Sequence, residues 1–372
     1  MTDSAARQAR VLLVTRKFPP AVGGMETLSV DLWEGIVMRW PSARLLAMRT
    51  TSQVNLLWWL PLTMAKVGWL LMRKRVDCVI VGDAIVATVL RPVLRITARR
   101  RGVIGIAFVM GLDITWDQPG YRRVVSWGLK GWTRVAAISE ATASVASELL
   151  GDPARVSVIR LGVGVPDFHR NRDAARAAVL GRWNIRQEVL LIVTVGRVVK
   201  RKGSAWFIES VLPHLGDAVY LVAGVGSHSE AVSEAAARAG VADKVVLTGP
   251  VTNDERENLM AGADLFVQPN IAVAGDMEGF GLVVAEASVR GAVVVASRLE
   301  GVRDAVVDGR TGILVEPESS AEWLKTIEDL RDPVRRRELG DAFGATARDR
   351  YGRAQMIHYL AQILDEARGA KG

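Results

Sequence analysis

Twelve short runs rich in β-branched and other apolar residues alternate along the chain with longer segments suited to helix. The first six are Val11–Thr15, Arg44–Met48, Cys78–Val81, Val103–Val109, Val135–Ile138 and Val156–Ile159. After a helical stretch, Asp173–Leu180, the cycle restarts with Val189–Val195, Val219–Val222, Val245–Leu247, Leu265–Val267, Val293–Ala296 and Ile313–Val315. Strands that alternate with helices pair in parallel through crossovers, because a tight hairpin cannot join parallel neighbours. Two such cycles predict an α/β chain of two doubly wound domains, and 372 residues are enough for each to bury its own core. Gly162, Gly164 and Pro166 interrupt the pattern between Leu161 and Asp167, which sets the domains at 1–165 and 166–350. One more helix, Tyr351–Ala367, lies beyond the second sheet. Thr252 with Glu255 and Ser319 with Glu322 fit capping boxes, and Ser139 is placed to cap the helix after the fifth run.

Charge is distributed unevenly. Residues 1–165 carry 22 Lys and Arg against 11 Asp and Glu, a net +11, whereas the rest carries 26 against 29, a net −3. Eight of the eleven Trp residues also fall in the first part. Basic charge with Trp fits an anionic membrane surface; no nucleic-acid-binding motif is present, so nucleic acid is not an expected partner. The segment Val54–Met72, followed at once by Arg73-Lys74-Arg75, is 19 residues long, but Asn55, Pro61, Lys66 and Gly68 interrupt it. It reads first as a helix buried or partly exposed between two strands, second as a helix lying on a membrane, and only last as a span. The single cysteine, Cys78, sits in an apolar run and can form no intrachain disulfide, and the N-terminus lacks an apolar leader. A reducing, cytoplasmic location follows, on the inner face of the cell membrane if the basic half binds lipid.

Ligands of open α/β sheets bind beyond the carboxyl ends of the strands, so the loops there carry the chemistry. After the first run, Gly23 and Gly24 open a helix and allow close backbone approach. After the seventh, Gly196-Arg197-Val198-Val199-Lys200-Arg201-Lys202-Gly203 sets four cations within six residues, which suits a diphosphate. Gly224-Val225-Gly226 and Gly249-Pro250-Val251 are weaker signals of the same kind. The most informative stretch is Asp276-Met277-Glu278-Gly279-Phe280-Gly281-Leu282-Val283-Val284-Ala285-Glu286. Its second glutamate lies in an apolar helix and needs a hydrogen-bonding partner, which ribose hydroxyls would provide.

These loops, in this order, resemble retaining glycosyltransferase family 4, with the GT-B fold: two Rossmann-like domains facing a cleft and a C-terminal helix, about 351–372, crossing back to the N-domain. The resemblance implies an acceptor-binding N-domain and a donor domain for a nucleoside diphosphate sugar, either a UDP-sugar or GDP-mannose. It implies that Arg197 and Lys202 hold the diphosphate, that Glu286 binds the ribose, and that Glu278 lies beside the transferred sugar as a catalytic group. Phe280, Gly281 and Leu282 contact sugar and phosphate through their backbone, Val251 lies near the base, and Gly23-Gly24 close over the donor. The acceptor is a sugar or a lipid-linked sugar, in glycan or glycolipid synthesis, and no cofactor is expected. One departure stands out: Met110 occupies the place of a histidine that many members carry before Gly111-Leu112-Asp113. Methionine moves no proton, so this branch manages without the histidine, or Asp113 takes a larger polar role, or the chain is a catalytically impaired sugar-nucleotide-binding or partner protein; a merely structural Asp113 that caps a turn fits equally well. The four histidines, His169, His214, His228 and His358, are scattered and no Asp-x-Asp occurs, so no metal site is expected.

Overall fold

The computed structural model describes residues 9–369 apart from 22, 51, 117 and 166–170. It divides into two units, residues 1–163 with 352–372, and residues 164–351. Of the interrupting residues between Leu161 and Asp167, Gly162 falls in the first unit and Gly164 in the second, while Pro166 and Asp167 lie outside the described residues.

The first unit holds a parallel sheet of six strands: β1 (Val11–Thr15), β2 (Arg44–Ala47), β3 (Cys78–Val81), β4 (Ile104–Val109), β5 (Arg134–Ala137) and β6 (Val156–Val158). Their order is β2-β1-β3-β4-β5-β6. Strands β1, β3 and β4 are buried along their whole length, as expected of strands covered by helices on both faces. Leu12, Val79, Val81, Ala107 and Val109 pack with Leu90, Leu94 and Trp132 in one core. The Trp132 indole N–H finds its partner in the Ala87 carbonyl at 2.9 Å. The final helix, Arg353–Gly369, belongs to this unit. Arg353 anchors it on the helix Gly24–Arg39 through Asp31 (2.7 Å) and Glu34 (2.8 Å), and Ile357 fills the space above Gly35.

The segment Val54–Met72 folds as a short 3₁₀ turn, Gln53–Asn55, and a helix, Leu56–Met72, with Pro61 inside. Thr63, Val67, Leu70 and Leu71 face the core, while Val54, Leu57, Trp58, Leu62 and Met72 are exposed. Among the described residues no helix is long and apolar enough to cross a membrane.

The second unit repeats the plan with β7 (Leu190–Val195), β8 (Ala218–Ala223), β9 (Val245–Gly249), β10 (Leu265–Gln268), β11 (Val294–Ser297) and β12 (Ile313–Val315), in the order β12-β11-β10-β7-β8-β9. Ile192, Val267 and Val295 pack with Phe207, Tyr220, Trp323 and Phe343. The Thr252–Glu255 capping box forms, and Ser139 caps its helix by accepting the Thr142 N–H. The box expected at Ser319 does not form: Ser319 makes no side-chain cap, and Glu322 instead accepts the backbone N–H of Glu316 at 3.2 Å. A glutamate in the first turn can satisfy the preceding strand end as readily as its own cap.

Candidate functional site

Strand order reverses where a first strand has one neighbour from each direction, and a crevice opens beyond the carboxyl ends at that point. In the second unit this is between β7 and β10. The basic loop follows one of these strands and the Glu278 loop follows the other.

Loop positions on the β7 side are fixed by backbone bonds. Gly196 N–H donates to Ala223 O, Gly224 N–H to Gly249 O (both 2.9 Å), and His228 N–H to Val198 O (3.0 Å). Gly203, at φ +68°, closes the basic loop, and any Cβ there would run into the Pro269 carbonyl. The Ile271 N–H also donates to Arg201 O at 3.0 Å, so the two loops lie against each other. Beneath them Tyr220 bonds Thr194 (2.8 Å) and donates to Ser204 (3.2 Å), and burial pushes its phenol up to about 12.

Side chains converge here on Glu278. Its Oε2 lies 2.6 Å from Lys202 Nζ and 3.0 Å from Arg201 Nη1, and it accepts from Asn270 Nδ2 at 3.3 Å. Arg201 also meets Asp276 at 3.0 Å. Burial pushes the Glu278 carboxyl up, but Lys202 and Arg201 outweigh it and hold it down to about 2. Burial also lowers the Lys202 ammonium, against the pull of Glu278. Arg197, by contrast, is exposed, and among the described residues no side-chain bond or ion pair engages it; its charge contributes to the lowering at Lys202. The cluster therefore offers a fixed anion and two buried cations, with the exposed Arg197 guanidinium on the same loop.

The helix Leu282–Val289 starts from Gly281, at φ +82°, with Phe280 packed inside against the edge of Tyr351 and Leu282 half-buried. Glu286 on this helix is buried and has a partner the sequence did not offer: an ion pair with Arg256 on the helix Asn253–Gly262. The neighbouring pair, Arg290 with Glu257, joins the same two helices at 2.6 Å. Val251 is half-buried just before that helix.

Gly23, Gly24 and Asp113 belong to the first unit. The start of the helix Gly24–Arg39 already has its own negative charge: Glu26, which is buried, lies over Gly23 and pairs with Lys17 at 3.3 Å. Asp113 accepts the backbone N–H groups of Met110 (2.7 Å) and Ala84 (2.9 Å). Burial, together with the nearby Asp83 charge, raises its carboxyl to about 6. Asp83 caps the helix Ala84–Arg101 and meets Arg16 at 3.1 Å. The turn-capping role of Asp113 is thus present in the structure.

Sequence reasoning missed Arg201 as an individual, and Asn270, Glu300 and Arg256 altogether; it included Asp276 in the informative loop but gave it no role. All except Arg256 lie on loops after strands, where the carboxyl-end rule directs attention, but nothing in the sequence links residues 77 apart, as Arg201 and Glu278 are. Among the described residues no group of three or more His, Cys, Asp or Glu is disposed to hold a metal ion.

Residues 190–332 match the family described as Glycosyl transferases group 1. The chain is 28% identical, over 97% of its length and 100% of the relative's, to a GDP-mannose-dependent alpha-(1-6)-phosphatidylinositol monomannoside mannosyltransferase of Mycolicibacterium smegmatis. It is 27% identical to the protein of the same name from Mycobacterium tuberculosis, over 92% of this chain and 93% of that one. The Anabaena HepE structure in complex with UDP and glucose superposes with a TM-score of 0.75 over 96% of this chain and 100% of that one, at 16% identity, which shows the shared GT-B fold. Residues 190–332, within the second unit, thus match the group 1 glycosyltransferase model, and the chain has the two Rossmann-like parallel sheets of the GT-B fold.

Proposed function

We propose that this protein transfers mannose from GDP-mannose to a hydroxyl of a phosphatidylinositol-type glycolipid, with retention of anomeric configuration and without a metal ion. The full-length relatives carry that donor and acceptor in their names, and they are named as enzymes, which disfavours an impaired binding protein. The observation that carries the reading is the cation-clamped Glu278 at the strand-order reversal of the second unit.

Breaking the bond to the anomeric carbon leaves negative charge on the diphosphate. Arg197, which is exposed, and Lys202 meet that charge, and the first N–H groups of the helix opened by Gly281 add to it. These cations take the place a divalent ion holds in metal-dependent transfer. Glu278, ionised down to about pH 2, neither gives nor takes a proton at neutral pH. It serves as a fixed negative charge beside the sugar, where positive charge develops at the anomeric carbon. With Met110 in place of a proton carrier, the departing phosphate accepts the acceptor's proton. Glu286 binds the ribose and Val251 lies near the base; Gly23 and Gly24 take part in donor binding through their backbone, and Asp113 contributes polarity.

The protein works at an anionic membrane surface on its cytoplasmic side, bound through the first unit. The support is the net +11 of residues 1–165 and the exposed apolar residues of the helix Leu56–Met72.

The test is transfer from radiolabelled GDP-mannose or UDP-glucose to phosphatidylinositol and its mannosides, with and without EDTA, and with the product anomer read by NMR. Mannolipid of retained configuration, unaffected by EDTA, is expected. Transfer from UDP-glucose alone, an inverted product, or abolition by EDTA each overturns the corresponding part of the reading.

A further inference from the structure

Among the four described non-glycine residues with positive φ, Lys74, Asn184, Glu300 and Glu318, only Glu300 is bonded to a residue of the candidate site. Its φ is +44°, in the left-handed region where a side chain is strained. Glycine adopts this conformation freely, so a turn that needed only its shape would be best served by glycine. The side chain at this position therefore requires another reason.

That reason is visible in its bonds. Glu300 Oε2 accepts the backbone N–H of Glu278 at 2.6 Å. The next residue, Gly301, donates its N–H to the Glu278 carbonyl at 3.1 Å. Both backbone polar groups of Glu278 are thus tied to the loop that follows β11. Gly301 permits this contact, since a Cβ there would collide with the Gly279 carbonyl. The Glu278 side chain, meanwhile, is held from the opposite side by Lys202 and Arg201 on the loop after β7. The 2.6 Å bond binds a carboxylate that burial and the neighbouring Glu278 charge otherwise push toward protonation. Asp276 pushes it the same way, and Arg201 pulls the other way.

We propose that Glu300 is a positioning residue: it fixes the backbone of Glu278, so that the carboxylate clamped by Lys202 and Arg201 stays aimed at the reacting sugar. This rests on the role given above to Glu278. Strain at residue 300 is retained because the side chain sets the geometry of the residue that meets the substrate.

The experiment compares Glu300→Gly, Glu300→Gln and Glu278→Gln in the full chain, by GDP release from GDP-mannose with a phosphatidylinositol mannoside acceptor, by thermal melting, and by amide hydrogen exchange of the peptide containing Glu278. Glu300→Gly is expected to lower kcat about tenfold, change KM for GDP-mannose less than twofold, leave the melting temperature equal or higher, and speed exchange at Glu278. Glu300→Gln keeps an acceptor oxygen and is expected to retain most of kcat and the slow exchange. Full kcat and unchanged exchange in Glu300→Gly overturn the proposal. A lower melting temperature in both Glu300 variants, with parallel losses of kcat, also overturns it, in favour of a merely structural role. Failure of the underlying reading has a different signature: Glu278→Gln would keep full activity, whereas exchange at Glu278 in Glu300→Gly would still report the backbone contact.

Discussion

Lys202 Nζ and Glu278 Oε2 lie 2.6 Å apart, both buried, on loops that leave neighbouring strands β7 and β10. The cation assigned to the donor diphosphate therefore also fixes the carboxylate assigned to the sugar. Arg197, which is exposed, pairs with no carboxylate among the described residues.

The two cations should consequently respond differently to removal. Arg197→Ala is expected to weaken GDP affinity about ten- to a hundredfold, the loss of a charge-assisted contact worth roughly 1.5–3 kcal/mol, with no change in melting temperature. Lys202→Ala should weaken affinity similarly and also destabilise the second unit, because Glu278 is left buried with Arg201 as its remaining cation. Isothermal titration with GDP, alongside thermal melting, checks both. Unchanged affinity in both variants would remove the diphosphate assignment.

Arg256 supports Glu286 in the same manner. Arg256→Ala leaves a buried carboxylate without its partner and should cost on the order of 2 kcal/mol of stability. It should also lower GDP affinity, as should Glu286→Gln, because the carboxylate loses its fixed orientation in the one and its charge in the other. Titration of GDP and of 2′-deoxy-GDP into both variants provides the measurement. Tighter GDP binding by Arg256→Ala would mean that the arginine competes with the ribose instead of orienting the glutamate.

The strands of both sheets were legible because they are short, mostly apolar runs bounded by turn residues, and in the central strands β1, β3, β4, β7, β10 and β11 burial along the whole length leaves no polar alternation to confuse the pattern. Lys202, Glu278 and Glu286 were legible from their places after strands and from the spacing Glu278 to Glu286. Their partners were not. Arg201 looked like one of four equivalent cations, and only the fold shows that it is buried against Glu278 whereas Arg197 is exposed. Glu286 seemed to require a ligand because its partner, Arg256, arrives from another helix 30 residues away. Glu300 carried no sequence signal, since its importance lies in a backbone conformation and one long-range bond.

Asp113 provides a pH signature. Its carboxyl rises from 3.8 to about 6, so the folded protein takes up a proton below about pH 6 that the unfolded chain binds only near 3.8. The stability this gives is fully present below pH 3.8 and is lost as pH rises through about 6. The total change is about 3 kcal/mol. Relative to wild type, Asp113→Asn should therefore gain stability as pH rises from 4 to 7, and ¹³C NMR of the labelled wild-type carboxyl should show a midpoint near 6. A midpoint at or below 4 with parallel stability curves would remove the effect.

The helix Leu56–Met72 carries the membrane prediction. Its inner face, Thr63, Val67, Leu70 and Leu71, is committed to the core, while Leu57, Trp58 and Leu62 are 73%, 75% and 70% exposed. Lys66, Arg73, Lys74 and Arg75 are exposed on or just after the same helix, and Arg73 and Arg75 both stack on Trp69 with 5.3 Å to its ring centroid. Exposed apolar side chains beside cations suit the headgroup boundary of an anionic bilayer, where each cation contributes about 1 kcal/mol until salt screens it. Wild-type protein is expected to co-sediment with vesicles containing phosphatidylinositol or phosphatidylglycerol at low salt, less at high salt, and little with phosphatidylcholine alone. Replacing Arg73, Lys74 and Arg75 by Ser should remove the preference for anionic lipid. Trp58→Ser with Leu62→Ser should remove the part of the binding that survives high salt. Equal pelleting with neutral and anionic vesicles, or pelleting that none of these substitutions reduces, rules out attachment through this helix.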